Sequence, residues 1–491
     1  MMARGLLMAA LLAASAQAQA AEQPVTIALS ADRATDGPAF EGWGTALAWF
    51  AEVTGGYPAP VREHLADLFY GKDGLGWTIA RFNIGGGNAA ATPPYLRPGA
   101  AVPGYWHQPA GTSGHDWWRP DQPQMWDWNA DPNQRWWLDA VKARVQAPIF
   151  EAFSNSPPWF MTVSGRVSGA EKGRDDNLRE GQEQVFAQYL ARSVEELQKR
   201  HGIHFRTLSP VNEPNTDYWF AANTQEGAHW SPARQAAMVE ASAQALQARG
   251  LTTQIAAMDE TNSDTFLIDW AAYPAPTRAL IGQLNVHSYG TLYQTGVRDA
   301  AASANIRLWM SENDTPDKGG PESFTAMAPA LALADHIVAD LRHLQPSAWV
   351  FWQAVENLSA RDGKPGSNWG LIKMDLQAAP DAPHPISITS KYWAMANFSR
   401  YLRPGMHLFR PADEDTIGGA SPDGRELVFV HVNPGTTPRH LALNVPGAWS
   451  VQTVTTARDH QAQADTPRLG QDRFTVPVEP ETITTIRLRR R

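Results

Sequence analysis

The chain has 491 residues, 43% of them hydrophobic and 19% charged, enough for a substantial core in two or three domains or in one large barrel with an appendage. A net charge of −9 provides no basic field for phosphate backbones and so excludes nucleic acid as a partner. The absence of cysteine excludes disulfides and thiolate metal sites.

Residues 1–20 read as a secretory signal. Arg4 supplies the positive charge, Leu6 to Ala14 the short apolar run, and Ala16-Gln17-Ala18-Gln19-Ala20 the small-residue cleavage pattern. That run is too short to span a bilayer, and no later stretch reaches 18 apolar residues. The mature chain is therefore expected to be exported, secreted or periplasmic, with no integral membrane association.

Val25 to Leu29 alternates as a strand does. Phe40 to Thr45 is a short glycine-containing strand, followed by a helix from Val61 to Tyr70 with Val61, Leu65, Leu68 and Phe69 on one face. Trp77 to Asn83 is a second strand, closed by Gly85-Gly86-Gly87. Residues 88–134 show no clean periodicity and are rich in Pro, Gly and aromatics, and a loop of that length implies a function. A helix is predicted from Trp136 to Val145 and a third strand from Pro148 to Phe153, leaving through Ser154-Asn155-Ser156-Pro157-Pro158-Trp159. Gln184 to Arg200 is an amphipathic helix stopped by Gly202.

The fourth strand, Leu208-Ser209-Pro210-Val211-Asn212-Glu213-Pro214, ends in a carboxylate, with Asn212 before it and Pro214 stopping the strand. Ala233 to Arg249 is a helix, Thr253 to Met258 the fifth strand and Gln283 to Ser288 the sixth. In the seventh, Arg307 to Ser311, the pattern of the fourth recurs: an apolar run ends in Glu312. A helix at about 327–344 and an eighth strand, Ala348 to Gln353, complete the series.

Eight short strands alternating with helices predict an α/β fold, a (β/α)₈ TIM barrel. The cluster Gly85-Gly86-Gly87-Asn88 lacks both the spacing and the following helix of a dinucleotide loop. After about Phe398, strand-forming stretches at Glu426–Val432, His440–Val445, Val451–Thr456 and Arg473–Leu488 predict a small β-sandwich that the Val25 strand joins. The expected division is a signal over 1–20, a barrel over 38–395, and a sandwich from 21–37 plus 396–491.

In a barrel, function sits at the C-terminal ends of the strands. Glu213 and Glu312 are both presented there, and two carboxyl groups facing one another are what glycosidic-bond cleavage needs. Asn212 is suited to hydrogen-bond a sugar 2-OH, and Arg81, ending strand two, to hold the nucleophile ionised. A lone strand-end Glu is more often a cap, salt bridge or surface group; the conjunction of the two motifs is far more specific. Among the other acids, Glu151 reads as buried structure, Asp259 and Glu260 as supporting or cleft-lining groups, and Glu356 as a loop residue. His287 and Tyr289, ending strand six, either touch the nucleophile or sugar or pack the barrel rim. Twenty tryptophans are unusually many and lean towards carbohydrate, whose clefts use flat aromatic faces. Trp159 and Trp352 are the candidate sugar platforms, and Trp77 and Trp270 are assigned to the core. His201 and His204 flank a helix end rather than forming a metal pair, and no H-E-x-x-H occurs, so no metal or cofactor is expected.

With these motifs the chain resembles glycoside hydrolase family 30 over essentially its whole mature length. The resemblance implies Glu213 as acid/base, in Ser209-Pro210-Val211-Asn212-Glu213-Pro214, and Glu312 as nucleophile, in Trp309-Met310-Ser311-Glu312. Within the family it is similar to the β-1,6-galactanase group through Gly42-Trp43-Gly44-Thr45-Ala46-Leu47-Ala48-Trp49, Ser154 to Met161, Asp131 to Trp137 and Gln225-Glu226-Gly227-Ala228-His229. Phe50 and Phe160 depart from the tryptophans of that group, and Ala228 from its common cysteine. Asn155 joins the candidate substrate contacts, and Glu226 and His229 are candidates on the leaving-group side. The resemblance implies retaining hydrolysis of β-1,6-linked galactose chains in galactan or arabinogalactan side chains, with a polysaccharide or oligosaccharide as partner. The alternatives are another activity of the family (β-1,6-glucanase, glucosylceramidase or xylanase) or a non-catalytic carbohydrate-binding protein, which the intact acid pair argues against. A glucuronoxylanase would want a basic pocket, and residues 88–134 offer only Arg97 and Arg119.

Overall fold

The computed structural model describes residues 24–31, 38–290, 292–314, 323–358 and 369–491. The expected signal at 1–20 lies outside them. Strand β1 (Val25–Ser30) precedes eight parallel strands: β2 (Gly42–Leu47), β3 (Ile79–Asn83), β4 (Ile149–Phe153), β5 (Phe205–Ser209), β6 (Gln254–Glu260), β7 (Ile281–His287), β8 (Arg307–Asn313) and β9 (Ala348–Phe351). β2 to β9 pair in sequence, and β9 returns to β2 with Trp43 opposite Trp349, closing the barrel. Stretches such as Ala348-Trp349-Val350-Phe351 are apolar on both faces because helices cover the outside and side chains fill the inside. Those helices end where the chemistry dictates: Glu183–His201 stops at Gly202 in the left-handed region, φ +57°, where a Cβ would be strained.

Two of the strand boundaries that differ from the sequence reading concern the paired acids. The fourth barrel strand, β5, stops at Ser209, one residue before Pro210, which has no N–H to give a ladder. Glu213 therefore stands on the loop beyond the strand, with φ +46°. The seventh, β8, continues through Glu312 to Asn313, so Glu312 is part of the strand itself.

The long aromatic stretch from 88 to 134 is a packed annex. Trp126 stacks on Trp128 at 4.6 Å and on Tyr189 at 5.7 Å, while Trp117 and Trp118 close on Phe160 at 4.6 and 5.7 Å. Each such ring removes roughly 150–250 Å² from water, so much of the tryptophan excess is core.

A second unit follows the barrel. It contains β13 (His407–Phe409), β14 (Thr416–Ala420), β15 (Glu426–Asn433), β16 (Arg439–Ala457), β17 (His460–Ala464), β18 (Arg468–Val478) and β19 (Thr482–Arg490). Three short strands, β10 (Val355–Asn357), β11 (Ile372–Met374) and β12 (Ser387–Ile388), form a separate small sheet between them. The first part of β16 pairs with β1 and β18, its later part with β18 and β19, and its register shifts between Asn444 and Ala448. The sheet thus folds over a core that includes Leu29, Phe429, Leu443, Trp449 and Ile486. The helix Ser390–Ser399, which spans the expected boundary at 395/396, joins the units: Thr485 donates to the Asn397 carbonyl at 2.7 Å.

Candidate active site

A cavity of about 260 Å³ opens at the C-terminal mouth of the barrel, and Glu213 and Glu312 both line it. Larger hollows exist, including one of about 720 Å³ at the opposite face of the barrel, but that one lacks a facing carboxyl pair. Carboxyl oxygens of Glu213 and Glu312 and a ring nitrogen of His287 lie within 4.8 Å of one another.

Beneath the pair lies a buried charged layer. Arg81, fully enclosed, donates from Nε to Glu151 at 2.8 Å and from Nη2 to Asp259 at 2.5 Å, while Nη1 reaches the Ser311 carbonyl at 2.9 Å and Glu312 Oε2 at 3.4 Å. Glu151 also accepts from Thr207, Gln283 and Asn285 at 2.6, 2.8 and 2.9 Å, which is the buried structural role read from the sequence. Asp259 accepts further from Ser209 and Ser311. Against its burial, Arg81 and His287 hold the Asp259 carboxyl far below the ordinary range.

His287 sits between these layers. Nδ1 lies 3.2 Å from Glu213 Oε1 and 3.5 Å from Glu312 Oε1, and Nε2 lies 3.2 Å from Asp259. Against burial, the Glu312 charge and the hydrogen bonds to Asp259 and Glu213 push the imidazole up to about 10. The ring is therefore a cation with both nitrogens donating. Glu213, His287 and Glu312 are spaced as metal ligands could be, and both His287 nitrogens already meet carboxylates, Nδ1 those of Glu213 and Glu312 and Nε2 that of Asp259. Burial pushes the Glu312 carboxyl up to about 7; His287 and Arg81 pull it down and the Glu213 charge adds to the rise. Tyr289 donates to Glu312 Oε1 at 3.0 Å.

Of the sequence-derived substrate contacts, Asn155, Asn212, Glu226, Tyr289 and Trp352 line the cavity. Asn212 is among these lining residues, and its Oδ1 is buried without a hydrogen-bond partner. Glu226 faces the cavity but is already claimed: it accepts from the Gly86 and Gly87 amides at 3.1 and 3.4 Å and from Asn83 at 3.2 Å. Burial outweighs those donors and raises its carboxyl to about 8.

Arg81 and His287 meet the nucleophile, as read from the sequence, but are fully buried and act on the carboxyls from below without lining the cavity. Two expected contacts are placed differently. Trp159 is packed into the annex against Trp106, His115 and Phe160. His229 pairs with Asp176 at 2.8 Å, because that acid also caps Ser231 at the start of the helix Pro232–Ala248.

The sequence reading missed Tyr218, Thr261, Gln225, Trp49 and Trp369 as lining groups. Trp49 closes a 42–49 motif that was legible, and its ring meets Trp352 edge-on at 5.1 Å. Arg97 also lines the cavity, stacked 4.3 Å over Trp49 and paired with Glu356 at 3.0 Å. Its charge is balanced there, and Glu356, read from the sequence as a loop residue, lies in β10 and anchors it.

A barrel that presents a facing carboxyl pair over a buried layer of paired charges, beside aromatic walls, is that of a glycoside hydrolase acting on carbohydrate. The sequence matches the model of O-Glycosyl hydrolase family 30 over residues 24–271. It is 31% identical over 428 residues to an endo-β-1,6-galactanase of Hypocrea rufa, covering 83% of this chain and 81% of that one. The chain belongs to glycoside hydrolase family 30. It is also 28% identical to an exo-β-1,6-galactobiohydrolase of Bifidobacterium longum subsp. longum over 87% of this chain, which spans 36% of that longer protein. Its fold is similar to that of a conserved exported protein of Bacteroides fragilis, with a TM-score of 0.76 at 21% identity over 94% of this chain and all of the other.

Proposed function

We propose that the protein hydrolyses β-1,6-galactosidic linkages in galactan or arabinogalactan side chains with retention, Glu312 acting as nucleophile and Glu213 as acid/base. The observation that carries the mechanism is the proximity of the two acids, one carboxyl oxygen of each lying within 4.8 Å of the other with His287 between them, which suits the short separation of about 5–5.5 Å between the carboxyl groups of retaining enzymes. In the first step Glu312 attacks the anomeric carbon while Glu213 gives its proton to the departing oxygen. In the second, Glu213 takes a proton from water as that water displaces Glu312. The imidazolium of His287 remains fixed between the two carboxyls throughout and offsets the negative charge that moves from one to the other. Asn212 donates a hydrogen bond to the sugar 2-OH, and Trp49, Trp352 and Trp369 form the aromatic walls.

Support for the linkage is the 31% identity to the Hypocrea rufa endo-β-1,6-galactanase across four-fifths of both chains. Export belongs to the same proposal and is supported by the charge, apolar run and alanine spacing of residues 1–20. The test of specificity is a product profile on β-1,6-, β-1,3- and β-1,4-galactans with β-1,6-glucan as control. Oligosaccharide release from the β-1,6-galactan is expected to exceed release from each of the others. Preference for the glucan would instead assign another activity of the family.

A further inference from the structure

The loop after β5 carries a group that the reaction outlined above leaves unused. Tyr218 donates a hydrogen bond to Glu213 Oε2, the oxygen opposite the one held by His287. Tyr218 lines the cavity, and although the residue as a whole is 36% exposed its hydroxyl end is enclosed against Glu213. Its loop is fixed from both sides. Trp219 donates from Nε1 to the Glu213 carbonyl at 3.0 Å and accepts from the Ala170 amide at 3.0 Å. A Cβ on Gly169 would come within 2.0 Å of the Trp219 carbonyl, and one on Gly227 within 2.0 Å of its indole, so only glycine admits this seat.

We propose that Tyr218 is a positioning residue for Glu213: its hydroxyl holds Oε2 towards the substrate and favours the ionised carboxylate that activates water. The inference rests on the reading of Glu213 as acid/base. Because His287 occupies Oε1, Oε2 is the oxygen that must exchange the proton, and a donor on it favours the charged form. Burial and the Glu213 charge push the phenol above its ordinary range, so it remains a donor. The other groups facing Glu213 are His287, Tyr289, Glu312, Glu260 and the Asp259 carbonyl, all of which a change at Tyr218 leaves in place.

The test is Tyr218→Phe, which keeps the ring packed 4.7 Å from Trp219, assayed on aryl β-galactosides of graded leaving-group acidity. The alkaline limb of kcat/KM should move up by about one pH unit, the worth of one charged hydrogen bond. On activated substrates, where hydrolysis of the intermediate limits turnover, kcat should fall about 10-fold. In a Glu213→Ala background the same substitution should change neither quantity. An unmoved limb, or an equal loss in both backgrounds, overturns the proposal. If Glu213→Ala itself spares substrates with poor leaving groups, the acid/base reading fails and the inference falls with it, an outcome seen before Tyr218 is changed.

Discussion

His287 lies 3.2 Å from Glu213 through the same ring nitrogen that lies 3.5 Å from Glu312, so one cation serves both carboxyls. The nucleophile must be ionised to attack, and burial lifts Glu312 to about 7. The acidic limb of kcat/KM is therefore expected above the ordinary carboxylate range, towards 7, as the titration of a coupled group. His287→Gln removes a charge that lowers Glu312, so that limb should move to higher pH. A pH–rate profile on an aryl β-galactoside measures both, and a limb that stays put or moves down contradicts this role for His287.

Arg81 pairs with Glu151 and Asp259 together, and all three side chains are fully buried. Arg81→Met removes the cation these two acids share, leaving His287 on Asp259, and should cost about 3–5 kcal/mol in urea unfolding. Arg144→Ala is the control: its partners Glu63 and Asp67 are exposed, and its loss should cost under about 1 kcal/mol. Equal costs would show that the buried layer is not what Arg81 stabilises.

Tyr289 donates to the charged oxygen of Glu312 at 3.0 Å. A hydrogen bond to a charge contributes about 1.5–3 kcal/mol, so Tyr289→Phe should lower kcat roughly 10–100-fold. A change in KM alone would place the hydroxyl on the substrate instead.

Stability should fall as pH rises from about 5 to 9, within the window set by these groups. Glu52 and Glu226 are raised by burial to about 7 and about 8, so the folded state binds protons there that the unfolded state has released. His287, raised to about 10, acts in the same direction above its unfolded value of 6.5: its contribution is complete below that and is lost towards 10. Thermal melts across this range should show a declining midpoint, and a midpoint that climbs from 6 to 9 contradicts the assignment.

The barrel and the acid pair were legible because both leave strong local traces. Apolar runs such as Ala348–Phe351 mark strands, and Asn212-Glu213-Pro214 and Ser311-Glu312 mark the two acids, although β5 stops four residues before Glu213 and β8 runs one residue past Glu312. The roles of single aromatics were not legible. Trp159 and Trp352 both follow a barrel strand, yet one packs into the annex and the other lines the cavity, a difference set by contacts with residues far away in sequence. Tyr218 was missed for a related reason. It reaches Glu213 only because the chain turns at a left-handed Glu213 beyond the strand, and a continuous strand to Pro214 would have pointed it elsewhere.

The facing of Glu213 and Glu312 is tested most directly by the configuration of the first product. Proton NMR of galactan hydrolysis, recorded before mutarotation, should show the β-anomer accumulating first, and Glu312→Gln should abolish its formation. An α-anomer as first product, or undiminished hydrolysis by the Glu312→Gln protein, would contradict a double displacement through Glu312.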